Sequence, residues 1–391
     1  MFSTIIPKVI ISHVLRPTCA YFIVSQSATL EEMIEQTSIA SLFADDVTTK
    51  EDDNAQTTSA NSITSSSDNI SFYFQWANLV IGVVGMAGNS LIIYALVVSK
   101  QHKKHALIVQ QNALDLFSSL SLVITYSLVL CNMNLTGALG YWLCVTVLSG
   151  LLVSCGFVGS VVNLAIITID RYLRVVHSAW SKKRLHPWVI HSAMAFAWFV
   201  GIVTTTPVVF ETSRVINGVC YSFAFFKNSV ARMLCMIYYV FSFYFLMLVI
   251  FIFCYGRILV AIRRQAKVMA AHGQAHSNKI ESNVIKTMIL VSALYAIAWM
   301  PNNAYNLLIA VNLLDPLSLS RSYGTMCVSL LYTGINPFIY ATKFDPVREI
   351  LRKMIFCQKT PVQPTDGPTR VSGNLPSDRP TSRSRKRDVR D

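Results

Sequence analysis

Of the 391 residues, 53% are hydrophobic and only 14% charged, whereas a soluble domain carries about one quarter charged residues. That deficit excludes a disordered chain and argues against a cytosolic globular one. Lys and Arg exceed Asp and Glu by 13, which suits nucleic acid, an anionic membrane or a positive cytoplasmic face, so placement along the chain decides among them.

Met1 to Ser25 is apolar but broken by Lys8, Arg16 and Pro17, and neither a clean signal-peptide core nor a span is evident there. Residues 45–71 are rich in Ser, Thr, Asn and Asp and predict a disordered stalk. The uncharged run between Asp68 and Lys100 exceeds the ~20 residues that cross ~30 Å of hydrocarbon. From Ala106 to Ile169 the one charge is Asp115. Leu116 to Ile169 as a single helix would be roughly 80 Å long at ~1.5 Å per residue, too long for one crossing. The polar, glycine-containing stretch from Asn132 to Tyr141 breaks it into two. Further uncharged runs cover Trp188 to Phe210, Met233 to Gly256, Thr287 to Leu314 and Ser322 to Thr342. The reading is an all-α membrane protein with seven transmembrane helices.

Seven crossings place the termini on opposite sides, and basic residues choose the orientation. One side holds seven of them, including Lys8, Arg16, Lys50, Arg214, Lys227, Arg232 and Arg321, and the other twenty-six. The C-terminus is therefore expected to be cytoplasmic. The sequons at Asn69 and Asn134 fall on the outer side, as glycosylation sites must. Spread over inner loops, the positive charge forms no groove-facing patch, and a nucleic-acid partner loses its motivation. Residues 1–72 are then an extracellular disordered terminus and 73–343 the seven-transmembrane domain. Residues 344–357 place Val347, Ile350, Leu351, Met354 and Ile355 on one face, an amphipathic helix on the inner membrane surface with Cys357 open to lipidation. Residues 358–391, with five prolines and the run Arg383 to Arg387, read as a disordered basic tail.

Several residues inside the spans carry chemistry of their own. Asp115 lies mid-helix, where an acid costs roughly 2.5–3.5 kcal/mol on insertion scales and needs a partner; Asn89 and Asn336 are candidates. Arg171 ends the third helix beside Asp170, and a guanidinium can also pair with an acid on another helix. Pro301 and Pro337 each remove a backbone hydrogen bond and kink their helices, which makes Trp299 and Tyr340 candidate switch side chains or simple core filling.

In order along the chain stand Gly88-Asn89, Asn112-Ala-Leu-Asp115, Asp170-Arg171-Tyr172, Trp198, Ala298-Trp299-Met300-Pro301 and Asn336-Pro337-Phe338-Ile339-Tyr340. This set resembles the rhodopsin-like (class A) G-protein-coupled receptors over about residues 73–357. The resemblance implies coupling to a heterotrimeric G protein, with arrestin and membrane lipid as further partners and an extracellular ligand as the signal. It implies an inactive-state clasp between Arg171 and Glu281, the acid twenty residues before Pro301, whose breaking lets the sixth helix swing out. It implies a sodium ion held by Asp115, Ser160 and Asn336 near Trp299, although Gly156 and Tyr332 stand where relatives often place further polar ligands. It also implies a disulfide between Cys144 and Cys220.

Three departures qualify the resemblance. Cys144 lies two residues farther from Arg171 than is usual, which predicts a re-registered outer end of the third helix. Met247 replaces a proline of the fifth helix, which predicts loss of that helix's bulge. Ala298 replaces a common cysteine. For the ligand, no acid occurs from Leu116 to Ile169 and no lysine from Ser322 to Thr342. Val153 and Leu330 stand at the corresponding positions, against an amine or retinal. The long polar loop from Glu211 to Arg232 leans toward a peptide, with a lipid or small neutral agonist left open. No HExxH, phosphate loop or nucleophile elbow supports an enzyme, and no inverted repeat supports a transporter. A receptor-fold interaction protein without G-protein coupling is the alternative.

Overall fold

The computed structural model describes residues 56–222, 226, 228–271, 279–311, 313–314 and 319–355, with only the backbone path at 56–70, 229, 266–271, 279–283, 319–321, 345–346 and 353–355. Seven long helical segments follow the uncharged runs. The first span belongs to the helix Gln56–Val98 and the second is Ala106–Leu130. The third runs over Gly137–Val176, the fourth is Pro187–Thr212, and the fifth begins at Ser229 and ends at Ala271. The sixth is Lys279–Ala310 and the seventh Leu319–Lys343. Six of the helices among the described residues are long and apolar enough to cross a membrane. The seventh matches them in length but is more polar, and its Ser329, Thr333 and Asn336 are buried inside the bundle.

The first helix starts at Gln56, so part of the stretch expected as a disordered stalk continues the helix. Extending a formed helix gains one hydrogen bond per residue fixed, whereas starting one is costly. The spans pack as a ring around the third. The first lies against the second and seventh, the third against the second, fourth and fifth, and the sixth against the fifth and seventh. The most apolar window of the third span is 72% buried inside the protein, against 28–39% for the others, so the third span is the central post. Beyond the seventh, the helix Asp345–Ile355 follows at once, and Phe344 and Val347 are buried in the main core cluster. Residues 1–55 and the tail with Cys357 lie outside the described residues.

The third span is re-registered at its disulfide end, as the two extra residues predict. A π-turn, Cys144–Leu148, is followed by Gly150 at φ 72°, and a fresh helix starts at Leu151. A π-turn holds more residues per turn than an α-turn, and the left-handed backbone at Gly150 suits glycine. Ser149 Oγ accepts from the Leu151 N–H at 3.2 Å, and Thr125 Oγ1 of the second span donates to the Val147 carbonyl at 3.1 Å.

The fifth span keeps its bulge despite Met247, contrary to the sequence expectation. Phe241–Phe245 is a π-turn, and a proline is not what holds it. Tyr295 of the sixth span donates its hydroxyl to the Phe243 carbonyl, and Tyr244 donates back to the Ala296 carbonyl at 3.0 Å. Backbone carbonyls in a membrane interior must be satisfied by protein, so this reciprocal pair fastens the bulge to the sixth span.

Between the fourth and fifth spans the polar loop forms a hairpin of β1 (Arg214–Ile216) and β2 (Val219–Tyr221). Its turn residues Asn217 and Gly218 have φ of 51° and 77°, the positive pair that a type I′ turn requires. Cys220 of β2 is bridged to Cys144, with Cα atoms 5.4 Å apart.

Replacing Tyr295 by Phe removes one hydroxyl and leaves the Phe243 carbonyl without that donor. The expected cost is about 1–2 kcal/mol, a fall of about 2–8 °C in the unfolding midpoint. Thermal unfolding of the detergent-purified variant measures it, and an unchanged midpoint would show that the bulge stands without the tyrosine.

Candidate functional site

The polar heart of the bundle is Asp115, fully buried in the second span. Ser160 of the third span donates to its Oδ1 at 2.6 Å, and Asn336 of the seventh donates to Oδ2 at 3.0 Å. Gln111, one turn earlier in the second span, donates to Oδ2 at 3.4 Å. Asp115 therefore ties three spans together. Asn89 does not join it: its amide donates to the carbonyls of Gly85 at 2.8 Å and Thr333 at 3.3 Å, fastening the first span to the seventh. The expected Asp115–Asn336 pairing forms, and the Asn89 partnership is replaced by backbone contacts.

The donor set does not fit a sodium ion. Both carboxylate oxygens of Asp115 already accept protein N–H or O–H groups, and Gln111 Nε2 also donates to Ser160 Oγ. No side chain can be supplied from position 156, because a Cβ there would collide with Ser118 Oγ and lie 2.8 Å from Phe117. Tyr332 fills the neighbouring volume with a buried ring 5.6 Å from that of Tyr295. A cation needs converging oxygen lone pairs, and here the Asp115 and Ser160 oxygens are already engaged by the Gln111 and Asn336 amides.

Above this centre, Trp299 stacks on Phe157 of the third span with centroids 3.8 Å apart. Around the Pro301 kink, side chains donate to nearby backbone carbonyls. Tyr244 serves Ala296, Ser329 serves Ala298 at 3.2 Å, and Asn303 serves Trp299 at 2.7 Å. At the opposite end, Tyr340 follows Pro337 and is fully buried, its ring 6.4 Å from Phe344. Trp299, Pro301, Asn336, Pro337 and Tyr340 thus lie on the sixth and seventh spans along one path from the Trp299 stack to Phe344.

Val153 and Leu330 meet in an apolar cluster with Ile81 and Leu122. Asn134 is exposed beside the hairpin, where the Leu135 N–H donates to the Gly218 carbonyl at 3.0 Å. The side chain of Asn69 lies outside the described residues. Gln111, Asn163, Phe157, Tyr244 and Tyr295 were not singled out from sequence. Two amides within uncharged runs were the available signal for Gln111 and Asn163; aromatic side chains in apolar helices give none.

The remaining cluster is basic. Asp170 accepts both its close hydrogen bonds from Arg174, one turn on, at 2.9 Å each, whereas Arg171 Nε stands 3.8 Å away. The neighbouring pair Asp170–Arg171 is thus secondary to Asp170–Arg174. Tyr172 turns aside, its hydroxyl 3.1 Å from His177 Nε2 and its ring near Phe253. The backbone of Glu281 lies near the start of the sixth span, and its side chain is outside the described residues. Tyr255 of the fifth span hydrogen-bonds Thr168 at 2.9 Å and Ser292 at 3.0 Å, joining three spans at this end.

His105, just before the second span, packs edge-on to Phe344 with centroids 5.1 Å apart. Burial, then the charges of Arg171 and Lys104, push its pKa down to about 4. Because the unfolded chain binds this proton more readily, stability is full above about pH 6.5 and falls as pH drops toward 4. Unfolding midpoints of wild type and His105→Phe across pH 7 to 4 are expected to diverge, wild type losing more. Parallel curves would remove His105 from the acid response.

Sequence comparison bears on the assembled site. The family model described as 7 transmembrane receptor (rhodopsin family) matches residues 88–340. The chain is 24% identical over 289 residues to galanin receptor type 1 of Mus musculus, covering 71% of this chain and 80% of that one. It is 26% identical over 303 residues to somatostatin receptor type 3 of Homo sapiens, covering 74% and 70%, and 25% identical over 221 residues to the blue-sensitive opsin of Psalidodon fasciatus, covering 55% and 61%. With Asp115, Arg171, Trp299 and Tyr340 arranged along this bundle, the chain belongs to the rhodopsin-like seven-transmembrane receptor family, the class A G-protein-coupled receptors.

Proposed function

We propose that this receptor is activated by an extracellular peptide and passes the signal through the sixth span to a heterotrimeric G protein at the Arg171 end. The observation that carries the peptide reading is the hairpin. It is pinned to the third span by Cys144–Cys220, and Ile216, Val219 and Tyr221 on it are 42%, 54% and 45% exposed. A two-stranded hairpin offers backbone groups and alternating side chains to an extended chain, and the relatives named for galanin and somatostatin take peptides. The disulfide suits an oxidising exterior, and the basic excess suits a cytoplasmic Arg171 end; both support an outside N-terminus for this multi-pass plasma-membrane chain.

In the inactive state Arg171 is held by Glu281, and the side-chain-capped kink at Pro301 lets the sixth span turn when Trp299 moves on Phe157. Among the described residues Trp299 Nε1 and Tyr340 Oη are buried without a hydrogen-bond partner, a costly arrangement that a second packing of the same helices relieves. Asn69 and Asn134 carry glycans in this reading. Arrestin shares the opened cytoplasmic face, and palmitoylated Cys357 holds the short last helix to inner-leaflet lipid.

Removing one side of the clasp shifts the equilibrium between two states. A loss of about 1 kcal/mol raises the active population about five-fold. In membranes with matched surface expression, Glu281→Ala is expected to raise ligand-free nucleotide exchange on at least one G-protein α subunit by several-fold. Exchange equal to wild type on every subunit would remove the clasp. A panel of extracellular peptides, lipids and small neutral compounds on the same assay tests the ligand class. Activation by a non-peptide alone, or a response unchanged by hairpin substitutions at Val219 and Tyr221, would overturn the peptide reading.

A further inference from the structure

The amide of Gln111 has its orientation fixed by a chain of hydrogen bonds that starts at the backbone. Asn163 of the third span donates to the Leu107 carbonyl at 3.1 Å and to Gln111 Oε1 at 2.9 Å. A carbonyl only accepts, so Asn163 must present its NH2 there. Gln111 must then present oxygen to Asn163 and its own NH2 to Asp115 Oδ2 and Ser160 Oγ. Ser160, having accepted from Gln111, gives its proton to Asp115 Oδ1 at 2.6 Å. Gln111, Asn163, Asp115 and Ser160 are all buried to within 1%, so no member can exchange its partner for bulk water.

We infer that the Gln111 amide is a built-in donor occupying the cation position beside Asp115, which makes the stability and resting conformation of this receptor independent of sodium. A cation bridging Asp115 and Ser160 would have to displace a nitrogen that touches both, breaking two buried hydrogen bonds at once, a costly change. Nothing at position 156 could replace the lost contact, since the space for a side chain is closed by Ser118 and Phe117. The relay also joins the second and third spans. The inference is independent of the coupling and ligand proposed above, because it is read on unfolding alone.

The full chain, purified in detergent, is unfolded by heat in NaCl and in choline chloride of equal ionic strength, with thiol-reactive fluorescence as the readout. Wild type is expected to unfold at the same temperature in both salts. Gln111→Leu, which frees oxygens of Asp115 and Ser160, is expected to unfold about 2–4 °C higher in NaCl, and adding Asp115→Asn removes that gain. A sodium-specific rise in wild type that Asp115→Asn abolishes would overturn the inference, as would a folded Gln111→Leu indifferent to sodium. Should Gln111→Leu fail to fold, wild type and Asp115→Asn decide alone.

Discussion

A carboxyl group among transmembrane helices costs roughly 2.5–3.5 kcal/mol on insertion scales unless protein groups replace its water, and the arrangement of the second, third and seventh spans follows from meeting that demand at Asp115. Its donors come one from each: Gln111, Ser160 and Asn336. Moving any of the three helices by a turn would strip a donor from the carboxylate. The polar contacts around it therefore set register among spans that apolar packing alone would leave free to slide. Asn89, reaching two backbone carbonyls, extends the same register to the first span.

The same shortage of water governs the irregular backbone. At each π-turn and around the proline kink, side chains supply hydroxyl or amide donors to backbone carbonyls: Thr125 at Val147, Tyr295 at Phe243, Ser329 at Ala298 and, from the same helix, Asn303 at Trp299. An irregularity satisfied from another helix couples the two helices. The fifth and sixth spans are joined by two tyrosine hydroxyls passing in opposite directions, so rotation of the sixth span must alter the bulge in the fifth. A bundle of straight, self-satisfied helices would lack that link.

The two ends of the bundle are built differently. At the disulfide end a covalent bridge and an Asn-Gly turn hold a small exposed hairpin against the third span. At the other end the guanidinium of Arg174, rather than that of Arg171, takes the close hydrogen bonds of Asp170. Arg171 is thereby less committed to its neighbour in sequence than the motif suggests, while its charge contributes to keeping His105 neutral.

Span number, order, orientation preference and family were readable in the sequence, because a bilayer demands long uncharged runs and basic residues collect on one side of it. Asp115 stood out as an acid within an uncharged run, with Asn336 a candidate partner, whereas Ser160 and the Cys144–Cys220 pairing came from the family resemblance. The re-registered third span followed from counting residues. The bulge in the fifth did not: Met247 pointed to its loss, yet a tyrosine fifty residues away in the chain supplies what proline does not. The Asn217-Gly218 hairpin was present as a local signal and passed over as loop. The orientation of Gln111 was beyond any reading of the chain, because which end of an amide faces an acid is decided by the next partner along. Here that partner is the carbonyl of Leu107, reached through Asn163 on another helix. The sequence alone determined which helices enter the membrane, since hydrophobic transfer depends on composition over one segment. Only the tertiary structure decided which donor meets which acceptor inside, because hydrogen bonds depend on ångström distances between segments far apart in the chain.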